Sequence, residues 1–278
     1  MMEIGIFSRT YENCELEETF RRMNAQGIYH TQFNLSNAGM NTLPDWIDEG
    51  KIQNIKTLTK KYNIKPDALS GTFNMIDSDE EARKKGCAQF ELQCKIASML
   101  NIPIVSVCTG SKNKESKWKW HDDNLKQSSW DDLMRSTETI LRFAEDYKIV
   151  LGVETEASNI ICTPQKARVY MDTVGSENIK IIMDGANLFQ PEQMTNMENT
   201  LIEAFDILGK DIVLAHAKDF MLEGDMKYVA AGEGILDFKK YGELLKKADY
   251  KGALIMHGLS EEEIPKSKKF LEEIQENG

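Results

Sequence analysis

Four polar residues, each closing a short apolar run, constrain this chain more than any other feature. The runs are IVLGVE, KIIMD, DIVLAH and GALIMH, and they end on Glu154, Asp184, His216 and His257. The intervals are 30, 32 and 41 residues. About 30 residues is the length of one strand-helix-strand unit. If the four strands are parallel neighbours, their C-terminal ends share one rim of the sheet. Two carboxylates and two imidazoles then converge, a donor set suited to a divalent metal.

Apolar, β-rich runs alternate with longer amphipathic segments along the whole chain. Strands are predicted over 3–8, 30–34, 68–73, 102–108, 150–154, 180–184, 212–216 and 253–257. Helical periodicity fills 16–25, 46–62, 80–99, 131–147, 164–174, 196–208, 238–246 and 262–275. Asp77-Ser78-Asp79, Ser129 and Thr163-Pro164 read as helix starts, and Gly175 and Gly209 as helix ends. Eight βα units with near-continuous apolar strands predict a (β/α)8 TIM barrel. The rival, a doubly wound sheet, lacks its nucleotide fingerprint: the first strand runs into IFSRTYENC, without a glycine cluster. No linker or composition break divides the chain, so residues 1–278 are expected to form a single domain.

The net charge is −11, which disfavours nucleic acid as a partner. Five cysteines, with no C-x-x-C pair, suggest neither a disulfide framework nor a structural zinc site. No signal peptide or membrane span is apparent, so a cytoplasmic protein is expected, as a monomer or a homo-oligomer.

Each candidate residue has a structural alternative. Glu154 could instead be held in a barrel-interior ion pair with a lysine on a neighbouring strand. Glu156, two residues on, points to the same side and offers a second carboxylate at the mouth. Asp184 precedes Gly185-Ala186-Asn187, which suits either an Asx-type turn or a polar ligand on Asn187. After His216 come Lys218, a candidate oxyanion holder, and Asp219, its candidate surface partner. Gly232-Glu233-Gly234 permits close backbone approach, to a ligand or to another loop. In the loop 112–127, Trp118, Trp120 and His121 could face a sugar or pin the loop; Phe73 and Asn74 could add an aromatic and a donor.

The chain resembles the sugar phosphate isomerase/epimerase family, the xylose-isomerase-like TIM barrels. The carriers are SGTFNMI, VSVCTGS, WKWHDDN, LGVETE, IMDGANLF, LAHAKDF, AAGEGILDF and GALIMHGLSE. The resemblance implies a divalent metal held by Glu154, Asp184 and His216. The family's fourth ligand, a glutamate, is replaced here by His257, and its substrate-binding histidine by Asn187. The histidine makes the ligand set less negative, which should favour zinc, manganese or cobalt over magnesium.

A metal-dependent isomerase or epimerase of a small carbohydrate, phosphorylated or not, is therefore expected. The implied route is proton abstraction beside a carbonyl by Glu154 or Glu156, through a metal-stabilised enediolate. His257 either returns the proton or only ligates. Since one clear carboxylate base remains, isomerisation is favoured over epimerisation. A sugar-binding barrel without turnover is the alternative. A hydrolase related to endonuclease IV, which shares the fold, needs more histidines than the four present.

Overall fold

Nine strands and eight helices follow the expected alternation in the computed structural model, which describes residues 1–189, 196–223 and 225–277. The strands are β1 (Ile4–Phe7), β2 (His30–Phe33), β3 (Lys65–Ser70), β4 (Ile104–Val107), β5 (Val150–Glu154), β6 (Ile179–Asp184), β7 (Ile212–Glu223), β8 (Asp225–Ala230) and β9 (Leu254–Met256). The helices are α1 (Leu16–Ala25), α2 (Glu49–Lys61), α3 (Glu80–Leu100), α4 (Gln127–Tyr147), α5 (Pro164–Val174), α6 (Met197–Leu208), α7 (Phe238–Lys247) and α8 (Ile264–Asn277). Strands β1 to β7 and β9 pair in parallel, and β9 joins β7 to β1, closing an eight-stranded barrel.

Strand parity decides what enters the barrel, because alternate residues face opposite sides. Ala68, Ile104, Ile182, Leu214, Ala253 and Ile255 form a small apolar cluster of their own, with Phe7 and Val150 against it. Met183, Ala215, Ala217 and Met256, at the intervening positions, belong to the large core beneath the helices. Counting by twos toward the C-terminal rim, the inward series becomes polar: Val150 leads to Glu154 and Glu156, Ile182 to Asp184, Leu214 to His216 and Lys218, and Ile255 to His257. Register completes the alignment, with Asp184 opposite His216 and His216 opposite Ile255.

Local signals account for the helix boundaries. Asp79 caps α3 by accepting from Glu81 and Ala82 N–H, and Thr163 caps α5 ahead of Pro164. Gly175 ends α5 in the left-handed region, at φ 65°. Two signals act otherwise than expected. Ser129 lies inside α4, which begins at Gln127, and its hydroxyl donates to the Asp123 carbonyl. Gly209 keeps right-handed helical angles and leads into a short 3-10 turn.

The main difference from the sequence reading is the seventh strand. It runs twelve residues, not five, and β8 folds back on it antiparallel. Asp219, an outward-parity residue, anchors this excursion. Its carboxylate accepts N–H groups from Phe220, Gly232, Gly234 and Leu236 at 2.8–3.1 Å. A Cβ on Gly234 would lie 2.3 Å from Asp219 Oδ1 and 2.2 Å from the Phe220 carbonyl oxygen, so that glycine permits the approach. The G-x-G segment thus meets a loop anchor. Asp219→Ala leaves several inward-turned N–H groups without an acceptor, and should destabilise the fold by about 3 kcal/mol in urea unfolding. A loss below about 1 kcal/mol would contradict this role.

Candidate active site

A cavity of about 640 Å³ opens at the C-terminal rim, within the usual range for small-molecule sites. Its wall includes Phe7, Gln32, Lys117, Trp118, Glu154, Glu156, Lys218, Tyr228 and His257. Asp184 and His216 are fully buried. Glu154, Asp184 and His216 each offer a ligating atom, and these atoms lie within 4.8 Å of one another. His257 stands outside that group: its ring stacks on His216 at 4.9 Å between centroids and on Phe7 at 4.8 Å.

These groups neutralise one another. His216 Nδ1 lies 3.2 Å from Asp184 Oδ2 and 3.4 Å from Glu154 Oε1. Lys218 Nζ lies 3.0 Å from Asp184 Oδ2 and donates to Asn187 Oδ1 at 2.5 Å. Asn187 in turn donates to Glu154 Oε1 at 2.7 Å. Glu154 thus does lie in an interior ion pair, as weighed from the sequence, but with His216 rather than a lysine, and the pairs involve the candidate ligands themselves. Lys218 pairs with Asp184, whereas Asp219 is occupied with the loop. Asp184 Oδ1 also accepts from Ala186 and Asn187 N–H, forming the Asx-type turn.

The donor set fits a divalent metal. Two carboxylates and an imidazole are hard-to-borderline ligands that suit zinc, manganese or cobalt. Gln32, at the inward end of β2, places Oε1 2.8 Å from His216 Nε2. With the Nε2 proton donated to Gln32, the Nδ1 lone pair faces the two carboxylates, the second-shell arrangement that orients ligating histidines. Gln32 escaped the sequence reading. Its signal was a lone amide at an inward position of a short strand, HTQF.

Burial opposes charge on His216, but Glu154 and Asp184 outweigh it and raise its pKa to about 9. Burial raises Glu156 to about 8, with Glu154 adding to the shift. Despite burial, Lys218 and His216 hold Asp184 well below the carboxylate range. Burial drives His257 well below the ordinary histidine value, with His216 and Lys218 adding to it, so its imidazole is neutral. Its Nδ1 is shielded and has no hydrogen-bond partner among the described residues.

The other expected contacts divide. Trp118 lines the cavity. Trp120 and His121 do not. Trp120 Nε1 donates to Asp122, and His121 Nδ1 accepts from Asp123 N–H, capping a 3-10 turn. Phe73 has outward parity and packs on Phe90. Asn74 spans the β4 loop, accepting from Ser111 N–H and donating to its carbonyl. Asn187 is buried, with its amide spent on Glu154 and Lys218. Tyr228 was missed because it comes from the unforeseen β8; its ring lies 4.1 Å from Lys218 Nζ.

The chain belongs to the xylose isomerase-like TIM barrel family, whose pattern it matches over residues 21–274. It is 27% identical to a D-psicose 3-epimerase of Enterocloster bolteae over 186 residues, 66% of this chain and 57% of that protein. It is 23% identical to an inosose isomerase of Halalkalibacterium halodurans over 249 residues, 88% of this chain and 83% of that protein. In fold it is similar to the 3-keto-D-glucoside 4-epimerase YcjR from E. coli, with TM-score 0.76 and 17% identity, covering 98% and 100% of the two chains. The zinc-bound IolI protein superimposes with TM-score 0.71 and 18% identity, covering 99% and 96%.

At neutral pH His216 carries a proton that ligation must remove, and Glu156 carries one that an incoming cation would help expel. Metal affinity should therefore rise with pH up to about 9, with about one to two protons released per ion near pH 7. Calorimetry in buffers of differing ionisation enthalpy measures this. Affinity independent of pH from about 6 to 9 would contradict it.

Proposed function

We propose that the protein is a divalent-metal-dependent isomerase or epimerase of a small sugar, working through an enediolate. The observation that carries this reading is the joint placement of Glu154, Asp184 and His216 against a cavity that also holds Glu156 and a neutral His257. Its relatives' names, D-psicose 3-epimerase and inosose isomerase, support the reaction class. The metal would be held by Glu154, Asp184 and His216, with His257 a further candidate ligand. When bound, it supplies Lewis-acid stabilisation of the charge that develops as a proton leaves the carbon beside a carbonyl.

The chain's own residues supply the proton chemistry. Glu154 or Glu156 takes the proton from carbon. Burial brings Glu156 to about 8, close to neutral pH, where a group can both accept and return a proton. His257 faces the same cavity as a neutral imidazole, able to accept or donate one. Return to the neighbouring carbon gives aldose–ketose isomerisation; return to the opposite face of the same carbon gives epimerisation. With Glu156 the one carboxyl free of the ligand cluster, isomerisation is the favoured outcome. Asn187 fixes the rotamer of Glu154, while Phe7, Trp118 and Tyr228 offer apolar faces for sugar C–H groups.

A ketose and aldose panel incubated with metal-loaded protein in deuterated water tests this. Deuterium should enter at carbon beside the carbonyl of a substrate. Glu156→Gln should retain the metal but lose roughly 10²-fold or more in exchange rate. Metal-loaded protein that exchanges no sugar would contradict the mechanism, and a Glu156→Gln variant as fast as wild type would exclude Glu156 and leave Glu154 as the base.

A further inference from the structure

Lys117 places a cation in the cavity wall without a counter-charge. It comes from the β4 loop and is partly buried. Its Nζ donates to the Thr72 carbonyl at 2.8 Å and lies 5.2 Å from the Trp118 ring centroid. Among the described residues no carboxylate lies within 4.0 Å of it. Burial lowers its pKa below the ordinary lysine value, as expected of a cation that has lost water and gained no anion. Its backbone is fixed: Asn159 Nδ2 donates to the Lys117 carbonyl at 3.0 Å, while Asn159 Oδ1 accepts from Gly110 N–H at 2.8 Å and from the Cys108 thiol at 3.0 Å. The ammonium is thus presented by a pinned loop.

Charge around the cavity differs in kind from charge over the molecule. The chain carries a net −11. The cavity wall has three cations, Arg9, Lys117 and Lys218, against Glu154 and Glu156. Lys218 is neutralised by Asp184, and Glu154 faces His216. Glu156 forms an ion pair with neither Lys117 nor Arg9 among the described residues. Arg9, exposed at the mouth, has no hydrogen bond or ion pair among the described residues. Lys117 and Arg9 therefore remain as positive charges without an ion-pair partner among the described residues, in a negative protein. A sugar hydroxyl would give Lys117 a hydrogen bond but no charge, and a desolvated cation needs both.

We infer that the substrate is an anionic sugar, whose carboxylate or phosphate binds Lys117 with Arg9 at the outer rim. This deepens the isomerase reading and rests on it for the word substrate. The anion would sit at the β4 side of the cavity, leaving the carbonyl end for Glu154, Glu156 and His257.

Three unreactive polyols of matched skeleton test it: sorbitol, gluconate and sorbitol 6-phosphate, titrated by calorimetry into metal-loaded protein. Wild type should bind at least one of the anions about tenfold or more tightly than sorbitol. Gluconate alone would assign a sugar acid and sorbitol 6-phosphate alone a sugar phosphate; either supports the anionic class. Lys117→Gln, which keeps a donor for the Thr72 carbonyl, and Lys117→Met should both lose the preference. Their sorbitol affinity should stay within about twofold of wild type, and Lys117→Arg should retain the preference. Equal binding of all three ligands by wild type would overturn the inference. So would a preference that persists in Lys117→Gln, since the anion would then be held elsewhere. Turnover is not read in this experiment, so failure of the isomerase reading, seen as absent deuterium exchange, is distinct from failure of the anion subsite.

Discussion

Two carboxylates and two cations share the end of the barrel interior, and the candidate site depends on how they are balanced. Asp184 and His216 are wholly removed from solvent, and Lys218 nearly so. Groups so placed are costly to desolvate, and the mutual attraction of Glu154, Asp184, His216 and Lys218 offsets that cost only because each partner is present. Removing one would leave another charge buried and unpaired. The arrangement also has an alternative occupant. A divalent cation could replace the proton on His216 and draw off the one on Glu156 while leaving the surroundings near neutrality. In the proposed function, internal ion pairing and metal binding therefore draw on one electrostatic cluster.

Backbone geometry makes the cluster possible. Parallel pairing of β5, β6, β7 and β9 brings four C-terminal ends to one rim, and period-two alternation turns their last inward residues toward one another. The same alternation fills the barrel below with Ile104, Ile182, Leu214 and Ile255. An apolar floor supports a polar ring, and a shift of one residue in β6 or β7 would turn Asp184 or His216 into the helix-facing core. Asn187 and Gln32, from the turn after β6 and the end of β2, then fix the orientations of Glu154 and His216.

Much of this was legible in the sequence because it follows from short-range periodicity. The eight barrel strands follow from the alternation of apolar runs with amphipathic segments, the bounds of α1 and α5 from helical periodicity and, for α5, its Thr163-Pro164 and Gly175 caps, and the convergence of Glu154, Asp184 and His216 from apolar runs ended by single polar residues. Parity could have sorted further candidates. Phe73 and Asp219 fall at outward positions, and they serve packing and loop anchoring. Trp120 and His121 lie in an irregular loop where periodicity gives no direction, and their polar atoms are used locally. The β7–β8 hairpin was missed because its sequence signal, alternation on both sides of Glu-Gly-Asp in DFMLEGDMKYV, comes after the strand had already reached its expected length. Tyr228 was lost with it. Gln32 and Lys117 were harder still, because an amide in a strand and a lysine in a lysine-rich loop look ordinary until burial and missing partners are known.

The central claim is that Glu154, Asp184 and His216 together hold a divalent metal. Anomalous diffraction from crystals grown with manganese or zinc tests it most directly. The account predicts one strong peak bonded to a carboxylate oxygen of Glu154, one of Asp184 and Nδ1 of His216, with Nε2 still facing Gln32. Crystals that show no peak between these residues under saturating metal, with the His216–Asp184 and Lys218–Asp184 pairs intact, would contradict it.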